Sequence, residues 1–334
     1  MKMIRIIASN CSQRLSAFLA KLCLLTSVLI CATATATPIK IAVSQTPLSL
    51  PFYIAKHQGF FENRDVSVEF QNVIGGHRAF KALQDGEVDL ATASEAVVMF
   101  NSFKADNFSI LTTFVNSEDD IKLLVDKSLN ISSLSQLVGK KIGTVKGSAS
   151  HYFLNTLLLM KGIDPNKINI VAIKPEEMLA ALAAKTVDGV AIWEPFAFEI
   201  IKDNAEIVIL SEPGEYRLTF NLLQNTQVKP IPERSLIKIL TALNDAENYI
   251  KENPEGAQQI LKEQLQLDQD FINWIWPSYH YRLFLDQTLL MTLESEARWA
   301  RREGYAENKS INYLNYINAT PLKKVKPSSV SIME

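Results

Sequence analysis

Two hydrophobic periods alternate along this chain, and their order constrains the fold more than any other feature. Ile39, Ile41 and Val43 alternate with other residues, as do Val66, Val68 and Phe70, and a period of two predicts strands. Between them, residues 51–61 carry helical spacing that stops at Gly59. Gly75-Gly76 opens a further helix through Leu83, and residues 88–93 predict a third strand. A βαβαβ order predicts a parallel sheet with helices on both faces. The order returns with strands at 141–145, 168–173 and 187–193 and helices at 151–161 and 175–184. The sequence therefore predicts two α/β units. From about Pro232 onward the spacing is helical, over 235–251, 257–267 and 286–301 with a break at Asn253-Pro254. The tail 321–334, with Lys323, Lys324 and Lys326, reads as a solvated wrap or edge segment.

The two units share an echo. Residues 82–95 and 181–194 align at an offset of 99, with Ala82/Ala181, Leu83/Leu182, Val88/Val187, Asp89/Asp188 and Glu95/Glu194 in register. Two ordinary helix-to-strand connections would give the same matches by chance. On either reading each copy ends a strand in an acid-bearing tip, and ligands of open α/β sheets sit beyond those carboxyl ends.

The first 36 residues differ from the rest. Lys2, Arg5, Arg14 and Lys21 precede an apolar run at 22–32, no acid occurs, and Ala34-Thr35-Ala36 supplies a small-x-small pattern. This predicts a cleavable signal peptide over 1–36 and a periplasmic or otherwise extracytoplasmic protein. The competing reading is a membrane anchor, for which the run falls short of the ~20 residues a spanning helix needs. Bulky Ile30 stands before Cys31, which disfavours lipid attachment there. Cys11, Cys23 and Cys31 all lie in this segment, so a chain starting near Thr37 carries no disulfide, thiolate metal site or cysteine nucleophile. Removing four basic and no acidic residues from 34 basic and 36 acidic leaves a net charge near −6. That charge speaks against a nucleic-acid partner, which calls for a basic face.

Two stretches carry candidate chemistry. In residues 141–153 a strand runs into glycine, then into Ser148, Ala149, Ser150 and His151 at a helix start. Small residues admit a ligand to the backbone, and free N–H groups of a first turn receive an anion or polar acceptor. Helix capping by Ser148 or Ser150 explains the same residues equally well. In the second stretch, Trp193 offers a flat apolar face and Glu194 an acceptor for an amine. The alternative is an indole filling the space between lobe and hinge. If Trp193 stacks on a ligand while Glu95 and Glu194 approach from opposite sides, two carboxylates select a protonated amine. His57, His77, His151 and His280 lack metal-ligand spacing, and no nucleophile elbow or dinucleotide loop occurs. The runs Glu118-Asp119-Asp120 and Glu176-Glu177 read as solvated turns and a helix first turn.

These residues carry a resemblance. Ser44-Gln45-Thr46-Pro47 through residues 50–55, Gly59-Phe60-Phe61-Glu62, Gly86-Glu87-Val88-Asp89-Leu90, Gly139-Lys140-Lys141-Ile142-Gly143, Gly147-Ser148-Ala149-Ser150, Val187-Asp188-Gly189 and Trp193-Glu194-Pro195 occur in family order. The chain resembles the NMT1/THI5-like family of ABC-transporter solute-binding proteins, which includes nitrate, sulfonate, taurine and thiamine-precursor receptors. The resemblance implies a type II periplasmic-binding-protein fold, an α/β fold of two Rossmann-like lobes joined by a two-strand hinge, with a helical C-terminal region. It implies one lobe of residues 37–117 and 218–334 and another of 118–217. Carried over by position, the ligand-binding set is Ser44, Gln45, Gly76, Ser94, Glu95, Ser148, Ala149, Ser150, His151, Trp193 and Glu194.

Where sulfonate-type members show Gly-Asp followed by prolines, this chain has Ser94-Glu95-Ala96, a departure that points away from sulfonate itself. The region from Leu285-Asp286-Gln287 to Val325-Lys326-Pro327 resembles a branch whose relatives are sometimes joined to membrane signalling domains. The expected function is a monomeric, cofactor-free and metal-free receptor of an ABC importer. It would close on a small polar ligand, amine-, pyrimidine- or sulfonate-like, and deliver it to a membrane permease. The alternatives are a sensor for a membrane signalling partner and a pyrimidine-precursor biosynthetic enzyme of the same fold. The enzyme would need a cysteine cluster that this sequence lacks.

Overall fold

The computed structural model describes residues 37–333 apart from 203, 213, 215, 228 and 229. The expected signal peptide and the three cysteines lie outside the described residues.

The first βαβαβ stretch folds as its periods predict. Strands β1 (Ile39–Ser44), β2 (Val68–Val73) and β3 (Leu90–Ser94) alternate with helices α1 (Leu50–His57) and α2 (Gly76–Gln84). Strand β1 lies parallel to both β2 and β3. Gly59 turns the chain at φ +68°, a left-handed conformation that suits glycine after a helix. Helix α3 (Glu95–Ser102) then leads to β4 (Phe108–Ser117).

After β4 the chain passes into a second sheet at β5 (Ile121–Asp126). It builds β6 (Lys141–Thr144), α4 (Ala149–Met160), β7 (Asn169–Ala172), α5 (Met178–Ala183), β8 (Gly189–Trp193), α6 (Phe196–Lys202) and β9 (Ile207–Ile209). It returns to the first sheet as β10 (Leu218–Asn225). The remainder is helical except for β11 (Tyr279–Phe284): α7 (Glu233–Glu252), α8 (Pro254–Leu265), α9 (Gln269–Ile275), α10 (Gln287–Arg302) and α11 (Thr320–Val325). Sheet order is β11-β4-β10-β3-β1-β2 in the first sheet and β7-β6-β8-β5-β9 in the second. Each sheet thus places a parallel trio beside an antiparallel strand that has just arrived from the other sheet.

Strands β4, β5 and β10 gave no alternating signal because both of their faces are buried, so their side chains read as continuous runs. The first sheet's core is aromatic: Phe52 meets Phe114 edge-on at 4.9 Å, and Phe114 meets Phe220 at 5.9 Å. Full burial of one such ring contributes about 1.5–3 kcal/mol. A smaller cluster of Leu124, Val190, Ile192 and Ala197 serves the second sheet.

The echo is structural. Asp89 Oδ2 accepts the Lys40 N–H at 2.8 Å, and Asp188 Oδ2 accepts the Lys141 N–H at 2.8 Å. Gly86 and Lys185, 99 positions apart, both adopt left-handed backbone, at φ +73° and +53°.

Of the two readings of the tail, a solvated wrap or an edge segment, the structure favours the second. Leu322 on α11 is fully buried, Lys326 Nζ pairs with Glu247 Oε1 at 2.6 Å, and Val330 bridges Leu285. Apolar residues between the lysines pin it to the first sheet's helices. Among the described residues no helix is long and apolar enough to cross a membrane.

Candidate functional site

A cleft between the two sheets gathers the carboxyl ends of their parallel strands, where open α/β sheets bind ligands. Ser44 ends β1, Ser94 ends β3 and Trp193 ends β8, while Ser148 follows β6 by one turn. All four line the cleft, with Gly76 and Ala149. The cleft encloses about 370 Å³ of free space counted to its open mouth.

Helix starts form much of the lining. Thr46 begins the short turn Pro47–Ser49 that runs into α1, Gly75 precedes α2, Ser94 precedes α3 and Ser148 precedes α4. Thr46 Oγ1 accepts the Leu48 N–H at 3.2 Å, and Ser94 Oγ accepts the Val97 N–H at 3.4 Å. The other two starts are uncapped by side chains. Gly75 has none to offer, and the Ser148 hydroxyl donates to the Val145 carbonyl at 2.7 Å instead. The Arg78 and His151 N–H groups donate back to the Gly75 and Ser148 carbonyls, which leaves the first two N–H groups of α2 and of α4 with capacity for an acceptor. A Cβ on Gly76 would stand 2.8 Å from the Ala93 Cα, so only glycine lets the α2 start approach β3 this closely. Ser44 Oγ is buried without a partner.

Five expected ligand residues lie elsewhere. Gln45 is exposed and outside the lining; its N–H donates to the Val73 carbonyl at 2.8 Å. Ser150 Oγ pairs with Thr144 Oγ1 at 2.9 Å and Ser148 Oγ at 3.0 Å, and so braces the turn from within. His151 packs outside the cleft, stacked on Phe100 at 6.3 Å and edge-on to Tyr305 at 4.7 Å. Burial, reinforced by the Lys146 charge, pushes its imidazole down to about 4, so it is neutral at physiological pH.

Glu95 and Glu194, expected to approach a ligand from opposite sides, lie outside the lining and engage partners within the protein. Glu95 accepts the Thr219 N–H at 2.7 Å, the Thr219 hydroxyl at 2.8 Å and the Tyr216 hydroxyl. Glu194 accepts the Phe198 N–H at 2.9 Å and the Trp274 indole N–H at 3.0 Å, and its Oε1 lies 3.0 Å from Lys122 Nζ. Both carboxylates are fully buried, and burial raises both above the usual carboxylate range against these hydrogen bonds.

The acid that does line the cleft is Asp120, one of a run read from sequence as a solvated turn. It is 2% exposed, and burial pushes its carboxyl up to about 7, opposed by the Tyr279 hydrogen bond. The lining also holds His77, which burial keeps toward its neutral form, and apolar Leu48, Val97, Leu218 and Phe220. His77 and Trp193 meet edge-on in the lining, with ring centroids 6.4 Å apart. Thr46, Leu48, Gly75, His77, Val97, Asp120, Leu218 and Phe220 were not singled out from sequence. Asp120 had one available signal, a carboxylate immediately before the apolar run of β5. No Lys or Arg occurs among the described lining residues, and the described residues hold no cluster of three or more metal ligands.

Two α/β sheets exchanging strands around a cleft of helix starts define the type II periplasmic-binding-protein fold. The alkanesulfonate-binding protein SsuA from Xanthomonas axonopodis pv. citri, bound to MOPS, has this fold and superposes with a TM-score of 0.74 over 86% of this chain and 100% of its own, at 18% identity. The NMT1/THI5 like family model matches residues 46–257, and the chain belongs to that family. A protein named as an aliphatic sulfonates-binding protein of Bacillus subtilis (strain 168) is 27% identical over 243 residues, 70% of this chain and 71% of its own. The taurine-binding periplasmic protein of Escherichia coli (strain K12) is 26% identical over 185 residues, 54% of this chain and 56% of its own.

Proposed function

We propose that this chain is the extracytoplasmic solute-binding receptor of an ABC importer, closing on a small organic ligand with an anionic, sulfonate-type head. The observation that carries the reading is the convergence of helix starts on one cleft with the α2 and α4 starts uncapped. Such N-termini present N–H donors and the positive end of the helix dipole to an anion. Fixed dipoles replace basic side chains here, so the head can be neutralised without a lysine or arginine. The relatives named for sulfonates and taurine support the same class.

On this reading the lobes are residues 37–117 with 218–334 and residues 118–217, hinged at the two crossings between sheets, and the permease receives the closed form. The N-terminal segment directs export, so mass spectrometry of the exported protein finds a chain starting near Thr37.

Isothermal titration of residues 37–334 with short aliphatic sulfonates, nitrate and pyrimidines tests the reading. Sulfonates bind, and Ser148→Pro abolishes their binding by reshaping the α4 start while circular dichroism shows the fold retained. A folded Ser148→Pro variant with unchanged sulfonate affinity, or tight pyrimidine binding with none to sulfonates, refutes it.

A further inference from the structure

An indole at a protein surface ordinarily buries its rings and turns its N–H to water. Trp274 does the reverse. It is 42% exposed, yet its Nε1–H points inward and donates to Oε1 of the fully buried Glu194 at 3.0 Å. Lys122 Nζ, which pairs with the same oxygen at 3.0 Å, lies 5.3 Å from the centroid of the Trp274 ring. Trp274 belongs to α9, which the buried Ile272 and Ile275 anchor in the main core. Glu194 follows β8 and Lys122 lies on β5, both of the second sheet. The contact extends well beyond the indole. Phe271 of α9 packs on Phe198 of α6 at 5.0 Å, Trp274 meets the same ring at 6.2 Å, and Asp268, just before α9, pairs with Lys202 at the end of α6. Glu194, Phe198 and Lys202 recur every four positions, and Asp268, Phe271 and Trp274 every three, so each set falls on one helix face. The two faces dock antiparallel, with Trp274 against Glu194 at one end and Asp268 against Lys202 at the other.

We propose that α9 is a latch between the lobes: its docking on α6 favours the arrangement that holds a ligand, and so sets affinity from outside the cleft. The proposal rests on the receptor reading above and adds to it a contact that the ligand never touches. None of the six docking residues lines the cleft. The latch is made in the same arrangement in which Arg78 of α2 reaches Glu176 at 2.7 Å and His77 meets Trp193, two contacts that join the cleft's walls. The docking and the joined cleft therefore belong to one placement of the lobes.

A contact made in only one of two arrangements biases the equilibrium between them by its own free energy. Apparent affinity then falls in proportion to the binding-competent fraction that is lost. Trp274 is the place to break the latch, because a side chain already partly in water can be truncated at small cost to the core. Glu194→Gln, by contrast, leaves the indole an acceptor oxygen and leaves the latch in place.

Small-angle X-ray scattering and calorimetric titration with ethanesulfonate, on residues 37–334 and on the Trp274→Ala variant, test the latch. Without ethanesulfonate, Trp274→Ala has a larger radius of gyration than the wild type. Saturating ethanesulfonate returns it to the wild-type value, and its affinity is about three- to tenfold lower. Trp274→Phe, which keeps a ring on Phe198 and loses only the indole N–H, falls between the two in both measurements. An unchanged radius in a folded Trp274→Ala overturns the latch, whatever the affinity does. A larger radius with unchanged or raised affinity overturns its assignment to the ligand-holding arrangement. Should the wild type bind no ethanesulfonate, the sulfonate reading fails while the radii still decide the latch. Should Trp274→Ala not fold, Trp274→Phe decides by the same criteria.

Discussion

Glu194→Gln separates a structural acid from a ligand-binding one. The wild-type carboxylate is 0% exposed, with Lys122 at 2% across a 3.0 Å contact and two N–H donors on its oxygens. Hydrogen bonds to a charged group contribute about 1.5–3 kcal/mol each, and breaking a buried pair by removing one partner costs about 3–5 kcal/mol. Glutamine keeps the shape and one acceptor oxygen, so part of this survives. Lys122 is left with Asp119 at 3.2 Å. Burial also opposes ionisation of Glu194, which offsets some of the pair's attraction. The expected loss is therefore about 2–4 kcal/mol of stability, or a melting temperature lower by roughly 3–7 °C for a chain of this size. Calorimetric melting checks the loss, and ligand titration below the transition checks that affinity moves by less than about threefold, well under the 1.4 kcal/mol of a tenfold change. A melting point within about 2 °C of wild type together with a tenfold affinity loss would put Glu194 back on the ligand and refute the reasoning.

Two further outcomes follow from charged groups away from the cleft. Glu296 on α10 is fully buried, and burial with the Glu95 charge, opposed by the Tyr216 hydroxyl, holds it well above its ordinary value near 4.5. Above that value the native state holds a proton that the unfolded chain has released, so stability falls as pH rises, by up to about 1.4 kcal/mol per pH unit. Glu296→Gln flattens this slope in urea unfolding between pH 5 and pH 8, and an unchanged slope refutes the account. The Arg78–Glu176 pair at 2.7 Å joins α2 to the second sheet's side of the cleft but is partly exposed. At about 0.3–1 kcal/mol, Arg78→Ala weakens binding by about two- to fivefold at low salt and less at high salt; a large, salt-independent loss would mean that Arg78 touches the ligand itself.

How far the fold could be read from sequence follows from which strands alternate. The parallel trios announced themselves because helix and strand periods take turns, and the described elements fall within a few residues of their expected ends. Strands β4, β5 and β10 left no periodic trace, because both faces of the crossing strands are buried. The site was less legible. Sequence set Glu95 and Glu194 beside a ligand on their chemistry and on the family resemblance. Their real partners come from far along the chain, Tyr216 at 121 residues' separation and Trp274 at 80. Asp120 failed in the opposite sense: a run of three acids reads as solvated, and only the Tyr279 hydroxyl 159 residues away shows why the third turns inward. At Ser148 two readings stood equal, and the hydroxyl's turn toward the Val145 carbonyl removes the capping contact that one of them required.

The echo acquires a physical meaning from where its acids point. In both copies the aspartate ties a parallel strand to its neighbour, Asp89 to Lys40 and Asp188 to Lys141. The glutamate six residues later does something else. Glu95, on the first sheet, holds Tyr216 and Thr219, where the chain crosses back from β9 to β10. Glu194, on the second sheet, holds Lys122 and donates its N–H to the Asp120 carbonyl, where the chain crosses from β4 to β5. Each acid therefore clamps one of the two crossings. The repeated geometry places a carboxylate at each strand end where a crossing strand's donors converge. Asp120 lies at one of these crossings and also lines the cleft.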